Sequence, residues 1–123
     1  MGLIARSFLF LGALNGALVV ALGAYGAHAL QARESAALFQ TAVQYHMFHA
    51  LGLIAVGVVA AQQTGRGLLI GAGGLMFLGI LFFCGTIYLS AITGYRGLSA
   101  LTPIGGMAFI LAWLLLATAV VWR

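Results

Sequence analysis

The chain has 123 residues, of which 64% are hydrophobic and 5% are charged, and its formal net charge is +4. Soluble domains are about 45–50% apolar, so this composition excludes an ordinary soluble protein. The charged residues separate four long apolar stretches, and one membrane crossing needs about 20 apolar residues. We therefore predict an all-α membrane protein, a compact bundle of four transmembrane helices that forms a single integral membrane domain over residues 1–123.

The first predicted span covers residues 8–29. Arg6 precedes it, and Ala27-His28-Ala29 resembles the small-residue cleavage site of a signal peptide. The apolar run from 8 to 27 is longer than a typical signal core, so we expect a retained helix.

Three further spans follow, over 41–61, 68–92 and 103–122. The polar segment 62–67 predicts the turn between the second and third spans, and the segment 93–97 ends the third. Pro103 suits the first turn of the fourth helix, where its missing N–H group is harmless.

The arginines give the predicted orientation. With both termini on one side, that side carries Arg6, Arg66 and Arg123, and the other carries Arg33 and Arg96. The positive-inside rule then favours cytoplasmic termini in the bacterial inner membrane, by three arginines to two. We interpret these arginines as interface anchors and expect no binding of nucleic acid.

Small residues recur at helical spacing and predict close packing between helices. They indicate contacts within one protomer or with a second copy, so a homo-oligomer or a membrane-protein partner stays open beside membrane lipids. Asn15, close to this seam on the first helix, is expected to hydrogen-bond between helices. The residues predicted for packing are Gly12, Gly16, Gly23, Gly71, Gly74, Gly85 and Asn15.

Most polar side chains fall where the first and third helices end and the second and fourth begin. Because successive spans are antiparallel, these segments meet at one membrane face, and polar groups within a membrane are often functional. The predicted polar cluster is His28, Gln44, Tyr45, His49, Tyr88, Thr93 and Thr102.

Three histidines at this face raise the hypothesis of a metal or haem site. His46 and His49 are neighbours on a helix surface, and His28 ends the first span. Imidazole suits zinc, copper and haem iron, but Glu34 is the only carboxylate side chain. We favour histidines that hydrogen-bond to nearby groups, and predict neither a metal nor another cofactor.

Four motifs occur in an order that resembles the YgdD-like family of small bacterial membrane proteins, a domain of unknown function. They are Gly23-Ala-Tyr-Gly-Ala-His28, Thr41-Ala-Val-Gln-Tyr45 followed by His49-Ala-Leu51, Gly85-Thr-Ile-Tyr-Leu89 with Thr93-Gly94, and Thr102-Pro-Ile-Gly-Gly106. The resemblance implies a four-span inner-membrane protein without an assigned activity. His46 departs from the family pattern, in which Gln is common, so His28 and His49 are the family-type positions.

We predict a non-enzymatic bundle that binds a partner, a lipid or a small ligand at the face described above, since no arrangement of nucleophile, base and carboxylate is visible. One alternative is a small channel or transporter formed by an oligomer. The other is a membrane protein with a His-ligated metal or haem.

Overall fold

A computed structural model describes residues 1–30, 34–63 and 65–122, and all regular secondary structure in these ranges is helical. Four helices are long and apolar enough to cross a membrane: α1 (Leu3–Ala29), α2 (Ala36–Gln62), α3 (Gly67–Thr93) and α4 (Leu101–Val121). The predicted fold class is confirmed. Helices α1 and α2 begin before the predicted spans because helical hydrogen bonding continues beyond the apolar stretch. Arg33 and Arg123, used above for orientation, lie outside the described residues.

Helix α3 contains a π-helical turn. Its α-helical parts, Gly67–Gly79 and Thr86–Thr93, flank a π segment over Ile80–Gly85. A π segment is rare and often occurs at functional sites. Helix α3 ends at Gly94, whose φ of 79° is left-handed and whose N–H group donates to the Ser90 carbonyl at 2.9 Å.

Glycines allow α1 and α2 to approach closely. A Cβ on Gly12 would lie 2.9 Å from the Ala50 carbonyl oxygen, and one on Gly57 would lie 2.7 Å from Leu9 Cγ. Gly26 gives the same kind of room to the Phe39 ring. At these glycines the backbone of one helix therefore lies directly against the other helix, a close approach that small residues permit in a membrane.

Helices α3 and α4 form the second close pair. The Phe109 ring packs against Gly79, and the backbone of Phe83 in the π segment packs against Gly105. The main core lies between α2, α3 and α4 and includes Leu53 and Met76, which are fully buried.

The helices alternate in direction, so the bundle has two ends. We call the Arg96 face the end at which α1 and α3 finish and α2 and α4 begin, and the terminal face the opposite end. The hydroxyls of Thr86 and Thr102, 2.6 Å apart, join α3 to α4 near the Arg96 face. Rings of Tyr25 and Phe39, with centroids 6.2 Å apart, join α1 to α2 there.

Candidate functional site

Helix α2 carries two buried histidines that face different neighbours. His46 is 1% exposed and His49 is 3% exposed. Because they are three residues apart, their side chains leave the helix in related but distinct directions. His46 contacts α1 and α3, and His49 contacts α4.

His46 is the centre of a hydrogen-bonded chain across three helices. The Asn15 amide donates from Nδ2 to the Leu11 carbonyl at 2.8 Å, so its Oδ1 is the acceptor that faces His46 Nε2 at 2.9 Å. His46 therefore donates from Nε2, and Nδ1 of the neutral ring accepts from the Tyr88 hydroxyl at 2.8 Å. Every polar atom of this imidazole is satisfied, although it lies in an apolar bundle.

His49 has the opposite tautomer. The Trp113 indole can only donate, and its Nε1 lies 2.9 Å from His49 Nε2, which must accept. The proton is then on Nδ1, which donates to the Tyr45 carbonyl at 2.6 Å. The imidazole also stacks on Phe109, with centroids 3.5 Å apart and planes at 10°. These contacts hold His49 neutral, since a second ring proton would point at the indole N–H group.

This geometry bears on the metal or haem hypothesis. Both nitrogens of His46 and of His49 take part in hydrogen bonds, so neither ring offers a free lone pair. His28 is exposed at the end of α1. Within the described ranges, no three His, Cys, Asp or Glu side chains are grouped as metal ligands.

A large apolar cleft lies between α2 and α4 on the His49 side. Its volume is about 670 Å³, within the usual range for ligand pockets, about 300–1,000 Å³. It opens sideways between the two helices, and the outer parts of Phe48 and Met107 are exposed. The cleft is lined by Gln44, Tyr45, Phe48, His49, Phe83, Pro103, Gly106, Met107, Phe109, Ile110 and Trp113.

A smaller crevice of about 290 Å³ lies between α1 and α3. Five of its eleven lining residues are leucines, and Asn15, His46 and Tyr88 line its polar part. Helix α2 thus separates two spaces, and each contacts one of its histidines.

Near the Arg96 face, two threonines accompany the π segment. The Thr86 hydroxyl donates to the Phe82 carbonyl at 2.7 Å, so the contact with Thr102 is a donation from Thr102 to Thr86. Thr86 thereby satisfies a carbonyl of the π segment while it joins α3 to α4.

The structure divides the predicted polar cluster among several places. Gln44, Tyr45 and His49 line the α2–α4 cleft, and Tyr88 lines the α1–α3 crevice. Thr102 bonds to Thr86. The remaining two are His28, which is exposed, and Thr93, which is exposed and donates to the Leu89 carbonyl of its own helix at 2.6 Å. These residues therefore do not share one pocket, because helix rotation sends their side chains in different directions.

Two residues were missed as site members by sequence reasoning. His46 departs from the family pattern and is not in the predicted cluster, and Trp113 stands out only as a mid-span exception to an interfacial aromatic belt. The available signals were the spacing of His46 and His49 and the position of Trp113 in the middle of its span, away from the interface where tryptophan is usual. Asn15 was assigned an interhelical bond, but its partner His46 was not identified.

The predicted packing glycines also divide. A Cβ on Gly71 would lie 3.1 Å from Leu115, a close contact like that of Gly12, and one on Gly23 would lie 3.6 Å from Val43. Gly16 and Gly74 face open space, so the structure does not place them at a helix contact. Gly85, at the end of the π segment, approaches only the Ile80 carbonyl of its own helix, at 3.7 Å.

The fold and these buried networks define a four-span helical membrane protein. The chain belongs to the family described as "Protein of unknown function (DUF423)", whose model matches residues 22–106.

Relatives named as membrane proteins agree with this assignment. The chain is 44% identical over 119 residues to the UPF0382 membrane protein YwdK of Bacillus subtilis, covering 94% of this chain and 97% of that protein. It is 44% identical over 114 residues to a UPF0382 membrane protein of Staphylococcus haemolyticus, and the match covers 90% of this chain and 92% of that protein. It is 42% identical over 114 residues to a UPF0382 membrane protein of Staphylococcus saprophyticus, and the match covers 90% of this chain and 93% of that protein. No solved structure matches the chain. A family of uncharacterised membrane proteins is thus confirmed, whereas the name YgdD-like stays a prediction.

Proposed function

We propose that this protein is a non-enzymatic membrane protein that binds an amphipathic lipid in the α2–α4 cleft. The observation that carries the proposal is the polarity of the cleft along its length. Gln44 and Tyr45 lie toward the Arg96 face, and the rest of the lining is mainly apolar and aromatic. A lipid has the same order of polar and apolar parts.

The depth of the cleft supports a ligand from one leaflet. Pro103 is in the first turn of α4, and Trp113 lies near the middle of that helix. At about 1.5 Å per residue, these two positions are separated by about 15 Å along the helix, half of a hydrocarbon core about 30 Å thick. The cleft therefore reaches from the interface to the bilayer midplane and is open to lipid on its side.

The polar end of the cleft suits a headgroup. Gln44 and Tyr45 are both exposed, and together they supply an amide and a phenolic hydroxyl that hydrogen-bond without a formal charge. The Tyr45 ring is held against Phe83, with centroids 4.8 Å apart, so its position is fixed.

The hydrogen bonding of His49 supports a role in binding rather than catalysis. Its two nitrogens are engaged by Trp113 and by the Tyr45 carbonyl, so it has no free basic site for a substrate in the cleft. The ring instead contributes to the wall, stacked on Phe109.

We place the protein in the bacterial inner membrane with cytoplasmic termini. Among the described residues, Arg6 and Arg66 lie at the terminal face and Arg96 at the opposite one. This agrees with the positive-inside rule. The cleft then takes lipid from the extracytoplasmic leaflet.

Lipid binding is tested by native mass spectrometry of the full chain released from nanodiscs, with variant Gly106→Leu. A Cβ on Gly106 would lie 3.7 Å from the Phe83 ring, an ordinary contact, so the larger side chain extends into the cleft without forcing the helices apart. The matched control is Gly16→Leu, because Gly16 faces open space away from the cleft.

We expect the wild type and Gly16→Leu to retain bound lipid, and Gly106→Leu to retain at least tenfold less of it than the wild type. Equal retention by all three proteins would contradict the proposal. Gln44→Leu tests the headgroup contact and is expected to reduce discrimination between lipid classes.

A further inference from the structure

We propose that Trp113 sets the length of the acyl chain that the α2–α4 cleft accepts. This inference rests on the proposed function and adds the property of the lipid that is selected. Trp113 is the lining residue of α4 that lies farthest from the Arg96 face. Its indole closes the cleft at the bilayer midplane.

The indole extends from α4 across to α2. Its Nε1 donates to His49 Nε2 at 2.9 Å. A Cβ added to Gly52 would lie only 3.2 Å from Cζ2 of the indole. The indole thus approaches the α2 backbone at a position that has no side chain. Phe48 contacts it from another side in an edge-on arrangement, with centroids 5.5 Å apart.

These contacts make the indole a fixed wall. A tryptophan without a hydrogen-bond partner could rotate to admit a longer chain. Here the acceptor is itself held, because His49 donates to the Tyr45 carbonyl and stacks on Phe109. The tautomer of His49 and the position of the indole are therefore determined together.

Beyond the indole, the two helices present small residues. Gly52 of α2 lies beside it, under the flexible side chain of Met76, and Ala117, one turn further along α4, is on the same face of that helix. Removing the indole would extend the cleft toward the terminal face by about one helical turn, about 5 Å. The accepted chain should lengthen correspondingly.

The test uses single-chain phospholipids with saturated chains of increasing length, added to the full-length protein in nanodiscs and measured by native mass spectrometry. For the wild type, we expect occupancy to rise with chain length to a cut-off and then to fall. Trp113→Ala should move this cut-off to longer chains. Trp122→Ala is the matched control, because that tryptophan is exposed at the terminal face and should leave the cut-off unchanged.

Two further variants distinguish the role of Trp113 as the end wall of the cleft from a general effect on the stability of the protein. Trp113→Phe keeps an aromatic ring but removes the N–H group, and His49→Leu removes the acceptor while leaving the indole. Both should broaden the cut-off, because the ring is present but no longer held.

The outcomes distinguish this inference from the proposed function. Binding with the same sharp cut-off in the wild type, Trp113→Ala and Trp113→Phe would overturn only the role of Trp113. A wild type that binds none of these lipids would overturn the proposed function, and this inference with it.

Discussion

The adjacent glycines Gly105 and Gly106 provide a direct test of how α3 and α4 pack. The same substitution, Gly to Ala, is expected to have very different effects at the two positions. A Cβ on Gly105 would lie 2.8 Å from the Phe82 carbonyl carbon and still closer to the Phe83 backbone nitrogen. A Cβ on Gly106 would lie 3.7 Å from the edge of the Phe83 ring, which is ordinary contact.

The magnitude follows from what must move. At Gly105 the obstacle is backbone of the π segment, which cannot rotate away as a side chain can, so the helices must separate. Overpacking a core costs about 1–3 kcal/mol, and we expect a loss of about 3 kcal/mol for Gly105→Ala because the obstacle is rigid. For Gly106→Ala we expect a change within about 1 kcal/mol, since helix propensity favours Ala and no contact is lost.

The free energy of unfolding is measured by titration with SDS in mixed micelles, monitored by helical circular dichroism and tryptophan fluorescence. Both variants have the same composition and lie on the same helix, so Gly106→Ala controls for the general effect of an added methyl group. Equal stability of the two variants would refute the close approach of α4 to the π segment.

Two further predictions concern the buried hydrogen bonds. Asn15→Leu leaves the Nε2–H group of His46, a residue that is 1% exposed, without its acceptor. We expect the free energy of unfolding to fall by about 2–3 kcal/mol in the same titration, because a buried donor is left unpaired. This loss exceeds the average of about 0.6 kcal/mol for a hydrogen bond in a membrane protein. The double variant with His46→Leu should be less destabilised than the sum of the single variants, and strict additivity would argue against the contact. Thr86→Val removes a hydroxyl that contacts the Phe82 and Phe83 carbonyls and Thr102, whereas Thr102→Val removes only the contact between the two threonines. We therefore expect losses of about 1–2 and about 0.6 kcal/mol, and the reverse order would contradict these contacts.

The four crossings could be predicted from the sequence because they depend on the number and order of apolar residues. The arginines and the turn residues divide the chain, and Gly94 ends α3 in the left-handed conformation expected of a glycine at that position. Such signals are local, so one sequence is enough to find them.

The candidate site could be predicted only in part, because it depends on how each helix is rotated about its axis. His46 and His49 are close in sequence, yet one faces α1 and α3 and the other α4. The polar residues of α2, among them Gln44, His46 and His49, are spread around the helix axis, so the pattern does not show which direction is the core. The packing of Trp113 could not be predicted either, since its contact with α2 depends on the glycine at position 52 of the opposite helix.

The π segment explains why Gly85 does not continue the glycine stripe predicted for α3. An ideal helix advances about 100° per residue, and Gly71, Gly74 and Gly85 would then share one stripe. The turn over Ile80–Gly85 interrupts that regularity. Before the π segment, α3 makes its close contacts at Gly71 with Leu115, at Gly73 with Phe8 and at Gly79 with Phe109.

That same segment can absorb a change in the length of the chain. A π turn closes its hydrogen bond one residue later than an α turn, so one extra residue fits into the turn while the helix on either side keeps nearly the same direction. Deleting one residue within Ile80–Gly85 would therefore restore a regular α-helix and leave Tyr88 facing His46 and Thr86 facing Thr102. The deletion would instead remove the wide turn itself, whose backbone at Phe83 packs against Gly105.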